Sequence, residues 1–248
     1  MEVVGRGFLA RNLAAVADRH AYVTVLAAGV STTHATAETE FERERKLVDE
    51  TARRCHRTGR TVVLFSTASS SMYGTTDVPA GEDAAELSDS RYGRHKRQVE
   101  EVVAESGARW LVLRPSHLMG AGQRPHQLLP ALVDQIRSGR VRVHRGAHRD
   151  LLDVVDLVTV LDGLLTANVR DEIVNVASGT PSAVEDIVRG VERRLGRTAV
   201  HETVDGVRQR TLVSVDKLRK LLPELPLIDG LGGDGHLDRL LDRYVPCY

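Results

Sequence analysis

The chain has 248 residues, enough to bury a substantial core as one α/β domain or as one domain with a small appendage. Lysine and arginine together number 34 and equal aspartate plus glutamate, so no bulk charge attracts nucleic acid or an anionic membrane. Cys55 and Cys247, the only cysteines, are too few and too far apart to indicate a disulfide framework or a metal cluster.

The chain also lacks the sequence features of membrane insertion and export. No apolar run approaches the roughly 18 residues that a membrane helix needs. Residues 1–4 lead straight into a glycine turn, without the basic region and long apolar run of a signal peptide. We therefore expect a soluble, cytoplasmic protein.

Short apolar runs alternate with longer helical patterns along nearly the whole chain. Strands separated by helix-length segments favour parallel β-α-β units, with helices on both faces of the sheet. The run Val62-Val63-Leu64-Phe65 is apolar throughout, as expected of a strand buried on both sides. In chain order we predict strands over 3–4, 22–27, 61–66, 110–114, 140–144 and 172–177, and helices over 9–17, 40–58, 91–106, 126–138, 155–167 and 181–195.

The first candidate site is a glycine turn between the first strand and the first helix, Gly5-Arg6-Gly7-Phe8-Leu9-Ala10. The pattern fits G-x-G-x-x-A, in which glycines allow close backbone approach and the helix start offers N–H groups to a pyrophosphate. Its position at the first strand favours dinucleotide binding.

The acidic residue that usually follows this motif by about 20 residues, and holds the adenosine ribose, is missing. The chain has Val25-Leu26-Ala27-Ala28-Gly29 there, an apolar strand and a turn. Arg6 lies inside the glycine turn, where it faces a cofactor 2′-phosphate or is simply a solvated turn residue. The first interpretation favours NADPH over NADH.

The second candidate site is the pair Tyr92 and Lys96. Four-residue spacing places the two side chains on one face of a helix, one turn apart. A nearby ammonium lowers the pKa of a phenol from its reference of about 10, which makes the phenol a usable general acid or base. The alternative is an ordinary surface pair on an amphipathic helix.

A hydroxyl cluster follows the buried strand, in Ser66-Thr67-Ala68-Ser69-Ser70-Ser71-Met72-Tyr73-Gly74. Ligands bind beyond the carboxyl ends of strands in parallel sheets, where hydroxyl groups hydrogen-bond a substrate oxygen without adding charge. For most of these serines the alternative role, as turn or cap residues, applies.

Together these segments resemble the extended short-chain dehydrogenase/reductase superfamily, in its NAD-dependent epimerase/dehydratase branch. The resemblance continues in Leu113-Arg114-Pro115-Ser116-His117-Leu118-Met119-Gly120, Arg149-Asp150-Leu151-Leu152-Asp153-Val154-Val155-Asp156 and Asn175-Val176-Ala177-Ser178-Gly179. Ordered matches thus run from residue 5 to residue 179. The C-terminal stretch is only loosely similar.

The resemblance implies a role for each matching residue. Ser69 is the catalytic hydroxyl, Tyr92 the proton donor or acceptor, and Lys96 also holds the nicotinamide ribose. Arg149 contacts a nucleotide-sugar diphosphate, or else forms a structural ion pair with Asp150 or Asp153. The other implied contacts are, for substrate, Ser70, Ser71 and either Arg208 or Arg210, of which we choose Arg210; and, for cofactor, Gly5, Arg6, Gly7, Phe8, Leu9, Ala27, Ala28, Ser66, Pro115 and His117.

Three departures from the family pattern matter. The family normally has two more strands between the first helix and the strand that ends in Ala27-Ala28, so we expect a reduced adenosine pocket. His117 stands where asparagine is usual, and a packed loop histidine is the interpretation we prefer to a catalytic one. Val4 replaces the first glycine of the turn.

We predict an NAD(P)H-dependent ketoreductase acting on a dTDP-type 4-keto-deoxysugar, as in deoxysugar pathways of antibiotic-producing bacteria. Dehydratases of the family carry an Asp-Glu pair where this chain has Ser70 and Ser71, which disfavours elimination. A nucleotide-sugar epimerase, or a non-catalytic relative that binds dinucleotide or nucleotide-sugar, remains an alternative. The predicted architecture is a shortened Rossmann-type α/β fold over 1–123 and 148–178, with a substrate lobe over 124–147 and 179–248, in a homodimer.

Overall fold

The computed structural model describes residues 1–30, 37–84, 88–206, 209–226 and 230–248. Its centre is a parallel sheet in the order β1-β2-β3-β4-β9, so β1 lies at one edge. Each strand is short and mostly apolar, and the central ones are buried on both faces, as parallel sheets require. The strands are β1 Glu2–Val4, β2 Val23–Leu26, β3 Thr61–Phe65, β4 Arg109–Pro115 and β9 Glu172–Val176.

Helices cover both faces of this sheet. On one face, α2 (Glu38–Thr58) and α4 (Arg91–Ala104) bury apolar residues against β3 and β4. On the other, a 3-10 helix (Leu13–Arg19) and α6 (Val154–Thr166) pack on the sheet. Residues spaced three and four apart turn one stripe of each helix inward. The α/β fold class predicted from the sequence is confirmed.

A second hydrophobic cluster joins the C-terminal helices to the chain around residues 128–151. It contains α5 (Leu128–Arg137), α7 (Val184–Leu195) and α9 (His236–Tyr244). Here β6 (Arg140–His144) pairs in parallel with β11 (Val200–Val204), outside the main sheet. The boundaries of the substrate lobe stay a prediction.

Short elements connect these layers. They are α1 Phe8–Asn12, α3 Ser70–Tyr73, β5 His117–Met119, β7 His148–Arg149, β8 Leu151–Asp153, β10 Ser182–Ala183 and α8 Asp216–Leu221. Strand β5 pairs with β8 and β7 with β10, so the chain around Arg149 is anchored on both sides. In the described part of the chain, no helix is both long and apolar enough to cross a membrane.

Two differences from the predicted elements have a physical reason. The predicted helix over 9–17 is α-helical only to Asn12, whose side-chain amide donates to the Phe8 carbonyl (2.8 Å) and competes with the helix backbone. Helix α9 was not among the predicted helices; it forms because Leu240, Leu241 and Tyr244 on one of its faces pack into the second hydrophobic cluster. As expected, no strand lies between α1 and β2.

Candidate active site

The carboxyl ends of β1, β2 and β3 form one edge of the sheet, where the first predicted cofactor contacts lie. Gly5 has a φ of +141°, and a β-carbon there would lie 2.5 Å from the Ala27 carbonyl oxygen. Only glycine allows this approach. Ala27 in turn donates its N–H to the Val4 carbonyl (2.9 Å), so the glycine turn and the 27–28 segment form one surface.

Other predicted cofactor contacts differ in exposure. Arg6 is exposed, Leu9 is half-buried, and Phe8 is buried under Gly120, where a β-carbon would lie 2.7 Å from the Phe8 ring. Pro115 ends β4, and Ser66 follows β3 directly. The Ser66 hydroxyl is buried and has no hydrogen-bond partner within the described ranges.

Ser69 begins the short helix α3 and caps it. Its hydroxyl oxygen accepts from the Thr67 hydroxyl (3.0 Å) and from the Ser71 N–H (3.3 Å). Its own proton therefore remains available for donation. Ser70 and Ser71 form the first turn of α3 and are half-buried.

Helix α4 is attached directly to this turn. The Ser90 hydroxyl caps α4 by accepting from the Gly93 N–H (2.9 Å) and donates to the Ser71 carbonyl (2.7 Å). A β-carbon at Gly93 would overlap that carbonyl group, 2.9 Å from its carbon. Ser90 and Gly93 thereby hold the start of α4, with Tyr92, against the serine turn.

Tyr92 and Lys96 lie one turn apart on α4, with the Lys96 Nζ 5.5 Å from the centre of the Tyr92 ring. Lys96 is buried and Tyr92 is half-buried, so the alternative of a surface pair is wrong. The Tyr92 hydroxyl donates to the Val30 carbonyl (3.2 Å). Both side chains therefore face the turn that follows β2.

The sequence predicted a lowered pKa for Tyr92 beside Lys96, and this prediction is wrong, because the net shift of the pKa is upward. Burial raises the pKa of Tyr92, and the opposing effect of the Lys96 ammonium is itself countered by the carboxylate of Glu44. Tyr92 is consequently a protonated phenol at neutral pH, ready to donate rather than to accept a proton.

Sequence reasoning missed Glu44, which lies on α2 and is 2 % exposed. Its carboxylate accepts from the Lys96 ammonium (2.7 Å), the His95 ring (3.0 Å) and the Val30 N–H (2.8 Å). Burial alone would raise the pKa of Glu44, but these donors, Lys96 first, lower it to about 2. Its position in the sequence could have indicated burial, because Glu44 lies three residues after Phe41 and four before Val48, on the apolar stripe of α2.

Arg149 is half-buried near His117. Its guanidinium donates to the His148 carbonyl (2.7 Å) and the Gln209 side chain (3.3 Å). Burial and the nearby Arg149 charge lower the pKa of His117 to about 4, so the imidazole is neutral at pH 7. His117 lies on β5 and not in the loop that we expected.

The alternative structural ion pair of Arg149 is wrong within the described chain. Asp150 instead accepts from the N–H groups of Ser178 and Gly179, at 2.8 Å each. Asp153 caps α6 and binds Arg243 and Tyr244. Both carboxylates are therefore engaged in holding the backbone and the C-terminal helix, and Arg149 has no carboxylate partner among the described residues.

Arg210 is the second predicted diphosphate contact. It is half-buried, and its Nε is buried without a hydrogen-bond partner in the described part of the chain. Such a donor is costly to leave unpaired unless a ligand or water satisfies it. Arg208, the other residue considered, lies outside the described residues.

Proteins of known structure share this architecture. RMD from Pseudomonas aeruginosa, solved with NADPH, superimposes with a TM-score of 0.80 at 17% identity, covering 99% of this chain and 97% of that one. MoeE5, in complex with UDP-glucuronic acid and NAD, gives a TM-score of 0.77 at 22% identity, covering 98% and 84%. These similarities establish the fold.

Sequence comparison establishes the family. The chain is 23% identical over 199 residues to the dTDP-4-dehydro-6-deoxyglucose reductase of Escherichia coli, across 75% of this chain. The chain spans 61% of the length of that relative. Residues 8–177 match the profile of the NAD dependent epimerase/dehydratase family. The chain belongs to the NAD dependent epimerase/dehydratase family.

Proposed function

We propose that the protein is an NAD(P)H-dependent ketoreductase that acts on a nucleotide-activated 4-keto-deoxysugar of the thymidine-diphosphate type. The observation that supports the proposal is the attachment of α4 to the serine turn through Ser90 and Gly93, which joins the helix that carries Tyr92 to the turn that begins at Ser69. The similarity to a dTDP-4-dehydro-6-deoxyglucose reductase supports the substrate class.

The residues of the site provide what ketone reduction requires. Tyr92 donates a proton to the carbonyl oxygen, and Ser69 donates a hydrogen bond to the same oxygen and stabilises the developing alkoxide. Lys96 keeps a positive charge beside them. Solvent then returns a proton to Tyr92, which completes the proton balance.

The chain offers a partial binding surface for the dinucleotide. Gly5, Gly7, Phe8 and Leu9 would hold its pyrophosphate side, and the Ser66 hydroxyl, which lacks a hydrogen-bond partner among the described residues, is the proposed contact of the nicotinamide half. Ala27, Ala28, Pro115 and His117 complete this surface in the proposal. The bound nicotinamide would supply the hydride. Exposed Arg6 beside the turn favours NADPH, since a guanidinium suits a 2′-phosphate.

Arg149 and Arg210 are the proposed contacts of the substrate diphosphate. Arg149 has no carboxylate partner in the described residues, and Arg210 has a buried Nε without an acceptor. Two cations in this state suit an anionic ligand, because a diphosphate would satisfy donors that the protein leaves unpaired. Ser70 and Ser71, uncharged and half-buried, are proposed contacts of the sugar.

Those two serines also separate the proposal from a dehydratase. Elimination needs an acid and a base beside the catalytic hydroxyl, and the aliphatic hydroxyl groups of Ser70 and Ser71 do not perform that proton transfer at neutral pH. The missing strands beyond β1 leave less protein to retain an adenosine half, which suits a cofactor that exchanges each cycle better than one retained by an epimerase.

The test is to mix the purified protein with NADPH and a dTDP-4-keto-6-deoxyhexose and to follow nicotinamide absorbance. We expect substrate-dependent oxidation of NADPH, faster than that of NADH, and its loss in Tyr92→Phe. Unchanged absorbance with binding of both ligands would overturn the proposal in favour of a binding protein. Interconversion of sugar epimers without net cofactor consumption would overturn it in favour of an epimerase.

A further inference from the structure

We propose that Glu44 is a positioning residue of this site: it holds Lys96 against the turn at Gly29 and offsets its charge at Tyr92, so that Tyr92 acts as a proton donor. The inference rests on the proposed reductase function for its catalytic meaning. The effect of the Glu44 charge on the titration of Tyr92, however, involves only residues of this chain and is testable without substrate or cofactor.

The geometry that carries the proposal is a closed set of contacts around one buried carboxylate. Glu44 binds Lys96 through one oxygen, and His95 and the Val30 N–H through the other, while Lys96 and Glu44 are each 2 % exposed. Removal of this carboxylate would leave a buried ammonium unpaired.

Gly29 provides the space for this pair. A β-carbon at Gly29 would lie 2.5 Å from the Glu44 Oε1 and 3.1 Å from the Lys96 Nζ. The ion pair therefore lies directly on the turn after β2. The next residue of that turn is Val30, whose carbonyl accepts the hydrogen bond from the Tyr92 hydroxyl. Glu44 thus fixes Lys96 and the turn through one side chain.

The other charged groups around the pair are already neutralised in the described structure. Glu100, one turn further along α4, forms a buried two-pronged ion pair with Arg114 of β4 (2.6 and 2.9 Å). His95 is bound to Glu44 itself, and Arg91 forms an ion pair with Glu38. The charges that decide the state of Tyr92 are therefore those of Lys96 and Glu44.

These two charges act on Tyr92 in opposite directions. Burial raises the pKa of Tyr92, the Lys96 ammonium lowers it, and the Glu44 carboxylate raises it again. Burial disfavours charge on Lys96 as well, yet the negative charges that face it, the Glu44 carboxylate above all at neutral pH, raise its pKa, so the ammonium persists. A protonated phenol beside an ammonium whose charge is offset by Glu44 favours carbonyl reduction over alcohol oxidation, since oxidation needs the phenolate as a base.

The experiment is a spectroscopic titration of tyrosinate in the cofactor-free protein, with Tyr92 isolated by subtraction of the Tyr92→Phe curve. We expect Glu44→Gln to lower the Tyr92 midpoint by about one pH unit or more, because the Lys96 charge is no longer offset. Glu44→Asp should keep a midpoint near that of the wild type. His95→Gln, which removes a partner of Glu44 but not its charge, is the matched control and should leave the midpoint unchanged.

A second comparison guards against a Glu44→Gln variant that does not fold. Lys96→Met should raise the Tyr92 midpoint, and Lys96→Met with Glu44→Gln, which leaves no buried unpaired charge, should titrate below Lys96→Met alone. Equal midpoints for these two variants, or no shift in Glu44→Gln, would overturn the proposal whether or not a keto-sugar is reduced. The expected shifts without any turnover would instead count against the reductase function alone.

Discussion

At Gly93, helix α4 approaches the carbonyl group of Ser71 so closely that a β-carbon would lie 2.9 Å from the carbonyl carbon and overlap its oxygen. The neighbour is backbone, which cannot rotate away as the end of a side chain does. Helix α4 and the serine turn can therefore lie this close together only because residue 93 has no β-carbon.

Gly93→Ala should separate those segments. Overpacking against a fixed backbone typically costs about 1–3 kcal/mol, and we expect a comparable loss of free energy of unfolding together with a fall in turnover of at least tenfold. Gly163→Ala in α6 is the control, because the nearest neighbours of a β-carbon there are the flexible side-chain ends of Leu222 (3.2 Å) and Leu225 (3.7 Å). Urea unfolding and initial rates measure both effects, and equal behaviour of the two variants would contradict the prediction.

Ser69→Ala removes the proposed hydrogen bond to the carbonyl oxygen. Loss of one such donor typically costs a factor of about 100 in kcat, and loss of the cap costs about 1 kcal/mol of stability. Ser69→Thr keeps both the hydroxyl and the cap, so it should retain most of the rate. Steady-state kinetics on the keto-sugar separate the two roles, and a Ser69→Ala enzyme with unchanged kcat would remove Ser69 from the mechanism.

Arg149→Met should raise the pKa of His117 from about 4, because a positive charge that opposes protonation is removed. The signals of the His117 ring in an NMR titration report this directly. The variant should also raise the KM for nucleotide-sugar about 10- to 100-fold with little change in kcat, as loss of one charge-assisted contact predicts. Arg140→Met, at an exposed ion pair with Glu202, is the control and should change neither quantity.

The pH dependence of stability follows from the same histidine and from Glu44. The folded pKa of His117 lies below its ordinary value of 6.5, so the unfolded chain binds the proton first and stability falls as pH drops from about 6.5 toward about 4. The stabilisation from Glu44 is fully present above its ordinary pKa of 4.5 and is lost as pH falls toward about 2. Urea midpoints measured from pH 7 to pH 3 should therefore decrease continuously, and a flat profile would contradict both assignments.

Arg114→Met leaves the buried Glu100 carboxylate without its partner and removes donors to the Tyr73 hydroxyl and the Glu82 carbonyl. Breaking one side of a buried pair typically costs about 3–5 kcal/mol. Arg114→Met with Glu100→Leu should recover part of that loss, since no unpaired charge remains. Chemical unfolding of the two variants provides the comparison, and a double variant less stable than the single one would be the contrary result.

Much of the central sheet could be predicted because its signals are local. The apolar strand Thr61–Phe65 was predicted to within one residue, and the helix with Tyr92 and Lys96 was predicted to begin at Arg91, where it does. The spacing of the two side chains fixes their common face regardless of the rest of the fold. The parallel order of the strands follows from the helices between them.

What could not be predicted depends on contacts between segments far apart in the chain. The apolar stripe of α2 indicates that Glu44 is buried, but its partner is defined only when α2 packs against α4 and brings Glu44 to Lys96, 52 residues away in the chain. The strand Val200–Val204 is exposed and polar, and only its pairing with Arg140–His144 makes it a strand. Tertiary context decides such cases.

The position of β1 at the edge of the sheet affects how the protein behaves at high concentration. An open strand edge is a template on which a second chain can add a strand. Here the edge is three residues long, and Glu2 on it is held by Arg54 (2.7 Å) and by Thr24 (3.1 Å). An incoming strand would find few backbone groups to pair with and an ion pair beside them, so we expect this edge to be a poor template for aggregation.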